Sequence, residues 1–162
     1  MLLRNFYNAL GSWMEGAAPE SLVTTAGSSH SYTQTNANKL STTTSHICVG
    51  ASTITNFHFG DGGVEPTFDD YKLSGTRITT LSGLVNRKRT QDETGITIEY
   101  NFTLTNTGTS SITIRELAYM GDYGAGGYWV MIWRDVLDNP LTLEPNGVGQ
   151  ITHTVKLNYP TF

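Results

Sequence analysis

The sequence predicts an all-β fold of short antiparallel strands, with one amphipathic segment at the N-terminus. Three observations carry that prediction. Between Ile96 and Leu104 every even position is apolar and every odd one polar: Ile96, Ile98, Tyr100, Phe102 and Leu104 alternate with Thr97, Glu99, Asn101 and Thr103. That period of two belongs to a strand with one buried and one wet face. Asn106–Ser111 then breaks the pattern with turn residues, and alternation restarts at Ile112-Thr113-Ile114. Finally, turn signals recur roughly every ten residues, the spacing of a sandwich or barrel and not of alternating strands and helices.

The N-terminal stretch differs from everything after it. Leu2, Leu3, Phe6, Tyr7, Leu10, Trp13 and Met14 recur at steps of three and four, with Arg4, Asn5, Asn8, Ser12 and Glu15 on the other face. This is an amphipathic helix pattern, weakened by Gly11. So short a helix is marginal alone in water. Its stripe must therefore be buried, either on the chain's own sheet or on a neighbouring subunit, which makes these apolar residues candidate assembly contacts. Gly16–Pro19 ends the helix. From Thr24 to Ser45 more than half the residues are Ser or Thr, and Lys39 is the only charged side chain. Such a segment has little apolar surface to offset its ordering entropy. It reads as a tether in which Leu22, Val23, Tyr32 and Leu40 allow extended edge strands. The implied division is an arm at 1–15, a Ser/Thr-rich tether at 16–45 and one β domain at 46–162.

Within that domain His46–Gly50 reads as a short buried strand and Ile54–Phe59 as a loosely alternating one. Gly60–Gly63 is a turn, and Val64–Leu73 a loop with one helical turn near Pro66 or Thr67. Thr76–Leu81 and Leu84–Thr90 are two strand candidates, and Gln91–Gly95 is the hairpin into the central strand. The basic run Arg87-Lys88-Arg89 sits on that hairpin as solvated charge. Leu117–Tyr119 changes phase, which predicts a bulge or strand end. Met120–Gly127 is a Gly-rich loop. Tyr128–Trp133 is apolar without alternation, so it predicts a strand covered on both faces. Arg134–Pro140 leads out, Leu141–Leu143 is brief, and Glu144-Pro145-Asn146-Gly147 is a turn. In the last strand Ile151, Val155, Leu157 and Tyr159 point inward and His153 shares their face. This succession suits an immunoglobulin-like or jelly-roll-like antiparallel β-sandwich.

The totals bound the function. The 162 residues can bury a real core. With a net charge of −4 there is no basic excess to neutralise phosphates, so nucleic acid is not an expected partner. No run of apolar residues is long enough to span a bilayer, and Arg4 is the only basic residue of the arm, so no membrane partner is expected. Asn5 and Asn8 interrupt any signal-peptide core, which points to synthesis in a cytoplasm. Cys48 alone makes neither a disulfide framework nor a thiolate metal cage. Charged residues are only 15% of the chain, which suits extensive protein contacts.

No motif for chemistry emerges. There is no phosphate loop opening a helix, no nucleophile elbow and no His pair at metal-ligand spacing. His30, His46, His58 and His153 are scattered, and Cys48 between Ile47 and Val49 behaves as a small hydrophobe. Asp61, Glu65, Asp69 and Asp70 with Gly60, Gly62 and Gly63 could wrap Ca²⁺, but the spacing matches no EF-hand loop. No catalytic residue, metal or cofactor is therefore expected, and the chain is not expected to be an enzyme. The remaining candidate is an exposed aromatic surface of Tyr123, Tyr128 and Trp129 beside the Gly-rich loop, joined by Trp133. Aromatics so placed can stack on sugars or serve as core and interface anchors.

The C-terminal part carries a recognisable pattern. It comprises Thr103-Leu-Thr-Asn-Thr-Gly108, Ile112-Thr-Ile-Arg-Glu-Leu117, Trp133-Arg-Asp-Val-Leu137, Pro140-Leu-Thr-Leu-Glu-Pro145 and the closing strand to Tyr159. Upstream, Phe59-Gly-Asp-Gly-Gly63 and Pro66-Thr-Phe-Asp-Asp-Tyr-Lys-Leu73 fit with it. Over about residues 46–160 this resembles the small structural proteins of tailed bacteriophages found as head-decoration, neck or tail components. The resemblance implies a β-sandwich made in the host bacterial cytoplasm and residing in the virion. Its partners would be other copies of itself and other virion proteins. A receptor- or carbohydrate-binding module that recognises a host-surface glycan is the alternative.

Overall fold

The computed structural model describes residues 1–8, 22–30, 54–122 and 129–159. Among them the strands run β1 (Leu22–Val23), β2 (Ser29–His30), β3 (Phe57–Gly60), β4 (Leu81–Gln91), β5 (Gly95–Asn106), β6 (Ile112–Asp122), β7 (Trp129–Leu143) and β8 (Val148–Asn158). Among the described residues, helix is found at 4–8 and as a 3₁₀ turn at Ile54–Asn56. The fold is all-β: two antiparallel three-stranded sheets, ordered β3-β6-β7 and β4-β5-β8, and the β1-β2 ribbon. That is the make-up of a sandwich-like fold. The described residues divide into two units, one of residues 1–8, 22–30, 56–79 and 113–140, the other of 54–55, 80–112 and 141–159.

In the first unit β6 is the central strand. Phe57 pairs with Tyr119 and Gly60 with Glu116 across the β3–β6 ladder. One face carries Phe57, Tyr119 and Trp133, whose rings lie 5.2–6.2 Å apart. Ala118, Met120, Met131 and Leu3 form a second buried cluster, with Leu73 and Trp129 packed on it. Every residue from Glu116 to Met120 is buried. The phase change at Leu117–Tyr119 therefore marks a strand covered on both faces, and β6 runs through it unbroken to Asp122. Val130–Trp133 is buried on both faces as expected. The exit predicted at Arg134–Pro140 is instead part of one 15-residue strand. Pro140 is tolerated there because β7 closes one end of the sheet order.

The N-terminal residues are built into this unit. Leu2 bridges Trp133 and Thr24 bridges Val130, so two short pieces of chain lie along β7. The Leu3 amide donates to the Ile132 carbonyl, and the terminal amine to the Arg134 carbonyl. Asn5 is buried, with its carboxamide paired to Val23 as a strand backbone would be: Nδ2 donates to the Val23 carbonyl at 2.8 Å and Oδ1 accepts the Val23 amide at 2.9 Å. Residues 1–8 thus belong to the β unit, not to a detached arm. The reason is that a strand edge offers backbone partners that a free amphipathic turn lacks.

In the second unit β5 is central, and its even face is buried from Ile98 to Leu104, as the alternation predicts. Its register with β4 is continuous from Gln91 opposite Ile96 to Leu81 opposite Asn106. Of the two strands expected at Thr76–Leu81 and Leu84–Thr90, the second forms as β4, which begins at Leu81, while the first is reduced to an isolated bridge from Arg77 to Gly60. Arg87, Lys88 and Arg89 are exposed, with Lys88 opposite Glu99. Asp92 closes the 91–95 hairpin by accepting the Thr94 amide and hydroxyl and the Gly95 amide. On β8 the odd positions from Ile151 to Leu157 are the less exposed ones, but Tyr159 is 40% exposed. The Glu144–Gly147 turn has Pro145 second and Asn146 third at φ 62°, the pattern of a type II turn.

Candidate functional site

Two adjoining features of the first unit concentrate its polar chemistry: a buried charge cluster and an open cavity. The cluster begins with Glu116 on β6 and Arg134 on β7, exposed to 0% and 1%. Arg134 Nε donates to Glu116 Oε2 at 2.7 Å. The same carboxylate accepts the Ser74 amide and hydroxyl at 3.0 Å and the Gly75 amide at 2.8 Å. Arg134 also donates to Asp70 and, through Nη2, to the Val64 carbonyl. Gly60, opposite Glu116, leaves the room: a Cβ there would stand 2.7 Å from Glu116 Oε1.

The electrostatics follow from these donors. Burial pushes Glu116 upward, but the Ser74 and Gly75 amides and the Arg134 guanidinium outweigh it and hold the carboxyl below its ordinary value. Burial likewise raises Asp70, and the bonds from Thr67 together with Arg134 bring it down. Both groups stay ionised at neutral pH. The Arg134 guanidinium and both carboxylates are hydrogen-bonded, so the cluster is a clamp that ties residues 64–75 to the sheet.

Beside the clamp lies a cavity of about 240 Å³. Its floor is Met120 and Leu73, and its walls are His58 of β3, Thr25, Gly75, Lys72 and Arg77. The strand bonds from Ile78 to Phe59 and from Asp61 to Thr76 bring the 76–78 segment alongside β3. Burial and the nearby Arg77 charge push His58 down to about 4, so its imidazole is neutral at pH 7. The Trp129 ring lies 6.4 Å from that of His58.

The residues singled out in the sequence are distributed unevenly. Leu3 and Phe6 are buried in the chain's own unit and Leu2 is half-buried, while Tyr7 is 50% exposed. Leu10, Trp13, Met14, Tyr123, Tyr128, Cys48 and His46 lie outside the described residues, as does the strand expected at His46–Gly50. Trp129 is half-buried beside the cavity. The four carboxylates weighed for Ca²⁺ do not converge. Asp61 accepts the Thr76 amide, Asp69 pairs with Arg4, Asp70 pairs with Arg134, and Glu65 is exposed. Asp70 also accepts the Thr67 amide while its own amide bonds the Thr67 carbonyl, so the helical turn expected there is a carboxylate-closed β-turn.

Four buried polar residues organise the fold in a way their sequence setting does not show: Asn5, Asn106, Glu116 and Arg134. Asn106 is fully buried and joins two turns of the second unit. Its Nδ2 donates to the Ser110 and Leu143 carbonyls, and its Oδ1 accepts the Gly108 amide. A signal existed for the ion pair, since Glu116 and Arg134 each interrupt or directly follow an apolar strand run.

The chain matches no protein-family model, no curated protein and no solved structure. Among the described residues the chain is all-β, with a buried ion-pair clamp and, beside it, a cavity lined by two cations.

Proposed function

We propose that this chain is an accessory structural protein of a tailed-phage virion, acting by protein–protein contact on the head, neck or tail, with no chemistry of its own. The observation that carries the reading is an exposed aromatic patch. Tyr7 and Phe68, 50% and 43% exposed, have ring centroids 5.7 Å apart, and the Arg4 guanidinium lies 4.9 Å over the Phe68 ring. Tyr, Phe and Arg clustered in this way are the residue types that anchor protein interfaces. Among the described residues of the N-terminal stripe, Tyr7 is the one the chain's own core leaves mostly uncovered. Edge strands β4 and β8, eleven residues each, add sheet edges of the kind neighbouring subunits can extend. The motifs that resemble phage proteins fall on β5 to β8, their turns and the 59–73 loop, which supports the same reading.

The test is the mass of the purified chain by light scattering over a concentration series, with a Tyr7→Ser, Phe68→Ser double variant beside it. A closed oligomer that the variant shifts toward monomer, with circular dichroism unchanged, supports assembly through this patch. An antibody to the chain should also label discrete positions on phage particles from the source culture. A monomer at every concentration, with particles that carry none of the chain, overturns the proposal.

A second reading, a carbohydrate- or receptor-binding module, is favoured by the aromatic Trp129 beside the cavity.

A further inference from the structure

We infer that the cavity beside His58 binds a small organic carboxylate, of the size of one acidic sugar residue, either free or at the end of a glycan. The inference stands independently of the virion reading. Its first support is a charge imbalance. The chain as a whole is acidic at −4, yet this cavity is lined by two cations, Lys72 and Arg77. Neither takes part in an ion pair among the described residues, whereas Arg4 and Arg134 both do. Of the neighbouring carboxylates, Glu116 is neutralised by Arg134, while Asp61 accepts the Thr76 amide and keeps its charge, which leaves two cations against one carboxylate. The Lys72 ammonium lies 5.7 Å from the Tyr71 ring centroid. Two like charges around one cavity repel each other, and an anion placed between them removes that cost.

The second support concerns which anion fits. Phosphate sites offer a cradle of free backbone amides. Here the one glycine amide on the wall, that of Gly75, already donates to Glu116. What remains is a guanidinium fork, an ammonium, the Thr25 hydroxyl and a neutral imidazole. A single planar carboxylate matches the fork in a bidentate manner and needs no more charge than this. A phosphate would find the two cations here but no cradle of free backbone amides. The floor of Leu73 and Met120 is apolar, and the Trp129 ring stands by His58, so the body that carries the carboxylate has a C–H face to lay down. A volume of about 240 Å³ is below that of drug-sized pockets and suits a ligand part of about one ring.

The full chain, labelled with ¹⁵N, would be titrated with glucuronate, with an oligosaccharide ending in glucuronate, with glucose and with inorganic phosphate. We expect saturable shifts at Thr25, His58, Gly75 and Met120 with glucuronate and none with glucose. Bound carboxylate should also raise the His58 titration midpoint. Arg77→Gln should weaken binding at least about tenfold, the loss of one charge-assisted contact, and Lys72→Gln less. Both residues are exposed, so both variants should keep the wild-type spectrum elsewhere. Binding of the free acid alone assigns the site to a soluble ligand, and binding of the oligosaccharide as well assigns it to a glycan terminus; either supports the inference. Equal response to glucose, tighter binding of phosphate, or no saturable shift with either glucuronate probe overturns it.

Discussion

Replacing Arg134 with Met tests whether the first unit depends on its buried ion pair. Met fills much of the same volume without charge, so packing is disturbed little. What it removes is the guanidinium that holds Glu116 at 2.7 Å and also bonds Asp70 and the Val64 carbonyl. Removing one partner of a buried pair costs about 3–5 kcal/mol, because the other charge stays behind. For a chain of this size each kcal/mol lowers the midpoint by about 2–4 °C, so Tm should fall by roughly 6–20 °C. The pH dependence separates the electrostatic loss from a packing loss. Glu116 and Asp70 both sit below their unfolded values in the folded protein. Their stabilising contribution is therefore present above the unfolded carboxylate range, about 3.9–4.3, and is lost as pH falls through the depressed folded values. In the variant Glu116 keeps its Ser74 and Gly75 donors but loses its counter-ion, and burial then pushes it upward. The cost of the substitution should thus be largest near neutrality and shrink on acidification below about pH 4. Urea titrations followed by tryptophan emission would read it, since Trp129 and Trp133 both lie in this unit. A cost that is the same at about pH 7 and about pH 3.5 would refute the electrostatic account.

Three further outcomes are expected. His58, pushed down to about 4 in the fold, has an unfolded value near 6.5; its contribution to stability is complete above the latter and falls away toward the former. Histidine NMR should give a midpoint near 4, and His58→Gln should flatten the stability profile between those limits. Gly62→Ala would drive a Cβ into Ser74 Oγ, the Gly75 amide and Glu116 Oε1, whereas Gly63→Ala meets nothing within 4 Å. Thermal unfolding should show a loss of about 1–3 kcal/mol for the first and a change within about 0.5 kcal/mol for the second; equal effects would mean the clamp can yield. Asn146, at φ 62°, should tolerate Gly within a few tenths of a kcal/mol, while Ala costs about 1–2 kcal/mol by chemical denaturation.

The parts of this fold legible in the sequence are those where one face is wet. β5 shows its register in plain alternation because Thr97, Glu99, Asn101 and Thr103 occupy the less buried side. Where both faces are covered, period two disappears, and β6 beyond Glu116 reads as an interruption although the strand continues. The candidate site was less legible for a related reason. Periodicity reports where apolar side chains go, and a buried Arg or Glu enters that count as a solvent position. Arg134 reads as the exit of a strand and Asn5 as the polar face of a helix, yet both are buried. Their partners, Glu116, Asp70 and Val64 for the one and Val23 for the other, lie far away in sequence, so no local spacing announces them. The cavity combines both difficulties: His58, Met120, Thr25 and the 72–77 segment come from four separated stretches of chain. A buried Glu116 that satisfies Arg134 and both the Ser74 and Gly75 amides leaves none of these donors for the cavity. The same clamp that fixes the loop over the sheet is thus what leaves Lys72 and Arg77 as the charges facing the open space, and this is why stability and ligand preference should respond to different substitutions in one small region.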